Sequence, residues 1–230
     1  VTASPAPGLV TFDLFSALTD SRRGAASVLA RWAQARGWPT DPGTVYDDWD
    51  RRNKASQATL ADWRPFAWHA TEAWRATCAH LGLVGDVEQD ARALLASVDT
   101  WPLWDDVRPG LDRLRDRVGS AWRIGILSNV DDDIARRTQA GGLVDPSELW
   151  TSERLAAYKP SPELYRRARV QAGDGPHVHV ASSARDVRGA LEAGISVVRL
   201  VRPGHVVDPE GPAPGVEASS VTDVADLLRE

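Results

Sequence analysis

The chain has 230 residues, 43% of them hydrophobic and 26% charged, enough for one large domain or a core carrying a smaller insert. A net charge of −5 and a pI near 5.6 leave no basic footprint for nucleic acid and disfavour binding to an anionic membrane. No run approaches the about 18 apolar residues of a membrane helix, no charged-then-apolar leader opens the chain, and a lone Cys78 excludes an intrachain disulfide and fits a reducing cytoplasm.

Residues 1–8, small and Pro-rich, read as a short disordered lead-in. Residues 9–12 are apolar and β-prone and stop at Asp13, which predicts a buried strand. Helical spacing returns at Val28, Leu29, Trp32 and Ala33, predicting a helix over about 27–36, and Pro39, Pro42 and Gly43 then punctuate the chain. Residues 44–97 read as three helices rich in Ala, Trp and Arg, with breaks near 62–65 and 82–85. Six of the ten tryptophans (Trp49, Trp63, Trp68, Trp74, Trp101, Trp104) fall between 49 and 104, and helical spacing favours core over pocket for each. Cys78 sits in the same apolar-periodic run and reads as a small core residue.

Beyond Pro102 the texture alternates. A helix over 111–118 precedes a strand over 123–127 that ends at Ser128 and Asn129, and a further helix follows. A short strand at 148–151, a helix over 161–172, a strand over 177–180, a helix over 186–193, a last clear strand over 196–201 and a closing helix over 221–228 complete the chain. Strands alternating with helices imply βαβ units, hence an α/β fold: a Rossmann-like parallel sheet with helices on both faces. The expected catalytic core is residues 1–20 and 98–230, with the helix near 27–36 at the junction, and about 21–97 form an inserted all-helical cap. A Gly-x-Gly-x-x-Gly loop is absent, which argues against a dinucleotide enzyme.

Asp13, Ser128, Lys159 and Asp186 fall at strand ends or helix starts, on the rim where open parallel sheets build sites. Singly, each also reads as a cap, a turn residue or a solvated lysine. Together and in this order they resemble the four motifs of the haloacid dehalogenase superfamily. Phe12-Asp13-Leu14-Phe15 is similar to the first, Ile126-Leu127-Ser128-Asn129 to the second, Tyr158-Lys159-Pro160 with Leu164-Tyr165 to the third, and Ala181-Ser182-Ser183-Ala184-Arg185-Asp186 with Gly189-Ala190 to the fourth. The segment from Trp74 through Leu83 looks like the cap of the L-2-haloacid dehalogenases.

The resemblance implies Asp13 as a nucleophile that forms an ester or acyl phosphate. Ser128 and nearby N–H groups would hold a carboxylate or phosphoryl oxygen, and Lys159 would keep Asp13 ionised. Asp186 would orient Lys159 or activate the hydrolytic water. Phe15, Asn129, Tyr165, Ser183, Trp49 and Arg52 are the candidate substrate-binding residues.

Superfamily phosphatases carry an acid two places after the nucleophile and an acidic pair in the fourth motif. Phe15 and Ala181 stand there, so no leaving alkoxide is protonated and at most a weak Mg²⁺ site remains on Asp13 and Asp186. The L-2-haloacid dehalogenases also lack both acids, because halide leaves unaided, and they carry an aromatic at the position of Phe15. Ala17 and Ser183 replace the Thr and Asn of that branch. Its cap Arg follows a Trp, whereas here Asp50 intervenes before Arg51 and Arg52, and a one-place slip turns a helical side chain by about 100°.

The expected activity is therefore a dehalogenase-like hydrolase using an Asp ester on a small anionic carboxylate, with no cofactor. A Mg²⁺-dependent phosphatase and a non-catalytic relic are the alternatives. Nucleic acid and membrane are not expected partners, and a homodimer stays open.

Overall fold

The structure, a computed structural model, describes residues 6–59 and 62–228. Strand β1 (Gly8–Phe12) is followed by four helices, α1 (Ser21–Arg36), α2 (Pro42–Thr59), α3 (Phe66–Leu81) and α4 (Val87–Ala96). The chain then runs α5 (Val107–Val118), β2 (Trp122–Ser128), α6 (Asp132–Arg137), β3 (Leu149–Thr151), α7 (Ser152–Leu155), α8 (Pro162–Ala172), β4 (His177–Ala181), α9 (Ala184–Glu192), β5 (Ser196–Leu200), β6 (Val216–Ala218) and α10 (Val221–Leu227).

All pairings in the sheet are parallel, in the order β3-β2-β1-β4-β5-β6. A parallel sheet is covered on both faces, so its central strands are continuous apolar runs. Every residue of β1 is buried. Phe12 is in register with Ile126 on one side and Val180 on the other. The strand order reverses at β1, and crevices form beyond the carboxyl ends of strands at such a switch point. The four helices inserted after β1 form the cap.

One apolar cluster joins the sheet to the cap, running from Val10, Phe12 and Leu14 through Leu29, Trp74 and Leu94 to Leu111. A smaller one, including Leu127, Leu164, Tyr165 and Val187, lies around α8 and α9.

Several boundaries differ from the sequence reading. Helix α1 starts at Ser21, six residues before the apolar periodicity, because the Asp20 side chain accepts from Arg23 N–H at 3.2 Å and caps it. Its first turns carry Arg22, Arg23 and Gly24, which hide the period. A Cβ on Gly24 would lie 2.5 Å from the Trp101 ring, so the glycine is what lets that indole approach. Helix α5 begins at Val107, not 111, and β6 was not read at all. Residues 1–5 of the expected lead-in lie outside the described residues, and Gly8 already pairs with Trp122 in β1.

Candidate active site

Asp13 leaves β1 with its N–H bonded to Val180 O at 2.9 Å, and residues Leu14–Leu18 form one wide π-helical turn closed by Thr19 N–H on Leu14 O. Its carboxylate caps that turn: Oδ2 accepts from the Ser16 N–H at 2.9 Å and from Ser16 Oγ at 2.5 Å. The turn is clamped from behind by Arg202, whose guanidinium donates to Ala17 O at 2.8 and 3.0 Å, ion-pairs with Asp106 and covers the Trp104 ring.

Lys159 joins the two carboxylates. Its Nζ lies 3.0 Å from Asp13 Oδ1 and 2.6 Å from Asp186 Oδ2, and the side chain is buried. Asn129 pins the lysine backbone on both sides, accepting from Lys159 N–H at 2.7 Å and donating to Lys159 O at 3.1 Å. Asp186 also accepts from the Tyr165 hydroxyl at 2.8 Å, and His179 Nε2 lies 3.1 Å from both its oxygens.

Burial pushes Asp13 up, but the Lys159 charge and the two Ser16 bonds outweigh burial and the repulsion of Asp186, leaving Asp13 below its ordinary value. Asp186 is lowered further: burial opposes ionisation, while Lys159 and His179 favour it more strongly. Tyr165 is raised well above the phenol range by burial and then by Asp186, so it stays a donor. Both carboxylates are thus ionised at neutral pH.

Asp13, Ser128, Lys159 and Asp186 face one cavity of about 820 Å³ between the strand ends and the cap. Ser128 Oγ is buried and has no hydrogen-bond partner among the described residues. Phe15 forms part of the wall, stacked on Phe66 at 6.0 Å and edge-on to Trp101. Trp49 lines it too, with its indole N–H on Ala70 O at 2.9 Å, as do Asn129 and Ser183. Of the other tryptophans, Trp101 and Trp104 also line it, Trp74 is fully buried, and Trp63 and Trp68 are exposed.

Two expected binders are elsewhere. Tyr165 lies beneath Asp186 and does not line the cavity. Arg52 does not line it either: its Nε donates to Asp48 Oδ2 at 2.6 Å, and Thr77 Oγ1 of α3 donates to the same oxygen at 3.0 Å. The cavity face of α2 runs through Tyr46, Trp49, Asn53 and Gln57, flanked by Asp47, Asp50 and Lys54, a spacing of three to four that leaves Arg52 on another face.

Residues the sequence reading passed over include Ser16, Gln57, Arg185 and His179. Gln57 Oε1 accepts from both Asn129 Nδ2 at 2.8 Å and Arg185 Nη2 at 3.2 Å, which joins cap to core. The one advance signal for His179 was a polar side chain inside a strand that ends at the fourth motif.

The donor set does not fit Mg²⁺. Ala181 offers a methyl group where the phosphatases place an acid, and the Lys159 ammonium already stands between the two remaining carboxylates. Among the described residues no group of three His, Cys, Asp or Glu side chains is arranged to hold a metal ion; Asp13, Asp186 and His179 converge instead on the Lys159 ammonium.

The fold is that of L-2-haloacid dehalogenases. The enzyme of Xanthobacter autotrophicus, with chloropropionic acid covalently bound, superposes with a TM-score of 0.79 at 21% identity, over 96% of this chain and 98% of that one. A defluorinating L-2-haloacid dehalogenase gives 0.81 at 22% identity, over 97% and 96%. A haloacid dehalogenase-type hydrolase of Bacillus subtilis bound to magnesium gives 0.73 at 12% identity, over 98% and 100%. No curated protein sequence matches the chain. The model of the haloacid dehalogenase-like hydrolases matches residues 7–194, and the chain belongs to that family.

Proposed function

We propose that this hydrolase displaces a leaving group, halide foremost, from the carbon next to a small carboxylate, through an ester on Asp13 and without a metal. The observation that carries the reading is a buried, ionised Asp13 facing a wall where Phe15, rather than an acid, follows the nucleophile. Such a site activates a carboxylate nucleophile and offers no proton to an alkoxide, so it suits a group that leaves as a stable anion.

In the first step an Asp13 oxygen bonds to the substrate carbon while the carbon–halogen bond breaks, and halide departs with the electron pair. In the second, water adds to the Asp13 carboxyl carbon and the acyl–oxygen bond breaks. The products are a 2-hydroxy acid, a proton and Asp13 carrying one water-derived oxygen. The Ser16 N–H and the Lys159 ammonium, already on the two Asp13 oxygens, stabilise the tetrahedral oxyanion. The unpartnered Ser128 Oγ receives the substrate carboxylate. Asp186, occupied by Lys159, Tyr165 and His179, holds Lys159 in place rather than taking the proton of the hydrolytic water.

Halide and phosphate release measured side by side, with EDTA and with Mg²⁺, tests the reading. Halide release that survives EDTA, is lost in Asp13→Asn and places ¹⁸O from labelled water in Asp13 is the expected outcome. Phosphate release that requires Mg²⁺ would overturn it.

A further inference from the structure

A small anion in this cavity needs a cation, and α2 does not present Arg52 to it. Five Lys and Arg side chains line the cavity: Arg22, Arg23, Lys54, Lys159 and Arg185. Four are already neutralised. Arg22 bonds Asp47 at 2.9 Å, Arg23 lies 3.2 Å from Asp20, Lys54 lies 2.5 Å from Asp50, and Lys159 bridges Asp13 and Asp186. His205, on the same lining, is pushed below its ordinary value by burial first and Lys54 second, and so adds no charge at neutral pH.

Arg185 is the exception: among the described residues no carboxylate pairs with it. Its guanidinium donates only to neutral acceptors, Gln57 Oε1 at 3.2 Å, the long end of the usual N–H···O range, and Lys54 O at 3.3 Å, just past it. Gln57 Oε1 is moreover shared with Asn129, whose bond at 2.8 Å is the shorter. Arg185 also occupies the first turn of α9, where the helix dipole is positive and disfavours a cation. A half-buried guanidinium with no counter-charge, in a place the helix field opposes, is a site prepared for an anion. The buried Ser128 Oγ, also unpartnered, faces the same cavity.

We infer that Arg185 is the anion-binding residue of this cavity: its guanidinium binds a small monoanion at the seam between α9 and α2, displacing Gln57. The physiological anion, leaving halide or substrate carboxylate, follows from the function proposed above and rests on it; the binding itself does not.

Isothermal titration calorimetry with sodium bromide and, separately, sodium acetate tests this on wild type and three variants. Wild type should bind at least one of the two saturably. Arg185→Gln should weaken that binding by about tenfold or more, and Arg185→Lys should keep most of it. Gln57→Ala removes a competing neutral acceptor and should leave affinity unchanged or tighter. Loss for bromide alone identifies the halide, loss for acetate alone the carboxylate, and loss for both a shared site; each supports the assignment.

An Arg185→Gln protein that binds like wild type, equal weakening by Arg185→Gln and Gln57→Ala (a mere cap–core latch), or no saturable binding in wild type would sink it. A second measurement needs no variant. Bromide or acetate should slow phenylglyoxal modification of Arg185 in the wild-type protein, located by peptide mass, and absence of protection by both counts against the site. Calorimetry requires no turnover, so a chain that releases no halide yet binds anions refutes only the proposed reaction. Halide release without an effect of Arg185→Gln on binding refutes only the assignment of Arg185.

Discussion

Lys159 settles the charge state of Asp13, the nucleophile proposed above. Without its ammonium, burial and the Asp186 charge would act on Asp13 with only the Ser16 bonds opposing them. Lys159→Met keeps the side-chain length and removes the charge. Asp13 lies below its ordinary value of 3.8, so the acid limb of the wild-type kcat profile should fall below about pH 4. In Lys159→Met that limb should move upward by at least about one unit, and kcat at neutral pH should drop by about 10²-fold or more. A pH–rate profile of the two proteins checks both; an unmoved limb would remove Lys159 from control of Asp13. Asp13, Ser128, Lys159 and Asp186 could be picked out beforehand only as a set, because they follow the order of the four motifs they resemble, whereas each singly also reads as a cap, a turn residue or a solvated lysine. His179 was not, since alternation in residues 177–180 reads as one polar face, whereas a central parallel strand has no solvent face and both histidines are buried. Arg52 and Arg185 could not be told apart in the sequence, because which cation is neutralised depends on Asp48 and Gln57 across space.

At the scale of elements, the sheet and helices follow from hydrophobic period, and the errors fall where period is silent. The early start of α1 is set by a cap at Asp20, and β6 is three residues long and follows a Gly- and Pro-rich segment. Placement of the cap helices over the site relies on polar contacts that no periodicity announces. Helix α3 follows Pro65, which gives it no side-chain cap, and its first two N–H groups instead bond Asp131 of the core, Phe66 N–H at 2.7 Å and Ala67 N–H at 2.9 Å. The Tyr158 hydroxyl donates to Arg64 O at 2.7 Å beside it. Helix starts left without such an acceptor lose stability, so Asp131→Ala should cost about 1–2 kcal/mol in a urea titration. Because Phe66 stacks on Phe15 in the cavity wall, the same variant should raise KM more than it lowers kcat. An unchanged urea midpoint would show that the core carboxylate does not hold α3.

In the whole molecule the cap has no core of its own: Val10 and Phe12 of β1 share one apolar cluster with Leu29, Trp74 and Leu94 of the cap helices. Cap and sheet should therefore unfold together, and urea midpoints from tryptophan fluorescence and from far-ultraviolet circular dichroism should coincide. The acid response of that single transition is set partly by His177 in β4. Burial first, then His179, Arg169 and Arg123, push His177 down to about 3. Its Nε2 lies 2.9 Å from Thr11 Oγ1, and Nδ1 is buried with no partner among the described residues, so a second ring proton would go unpaired. The unfolded chain takes up that proton near its ordinary value of 6.5. Between these two values the unfolded state binds more protons, so stability rises with pH across the window. Read downward, stability should be lost as pH falls from about 6.5 towards 3, well before the carboxylates of the site are protonated. His177→Gln retains a polar group beside Thr11 but cannot titrate. Its urea midpoint should fall less steeply between pH 6.5 and 4.5 than that of wild type, the slope that remains coming from His69 and His205, which burial also pushes below their ordinary value. Parallel slopes for the two proteins would place the acid sensitivity elsewhere.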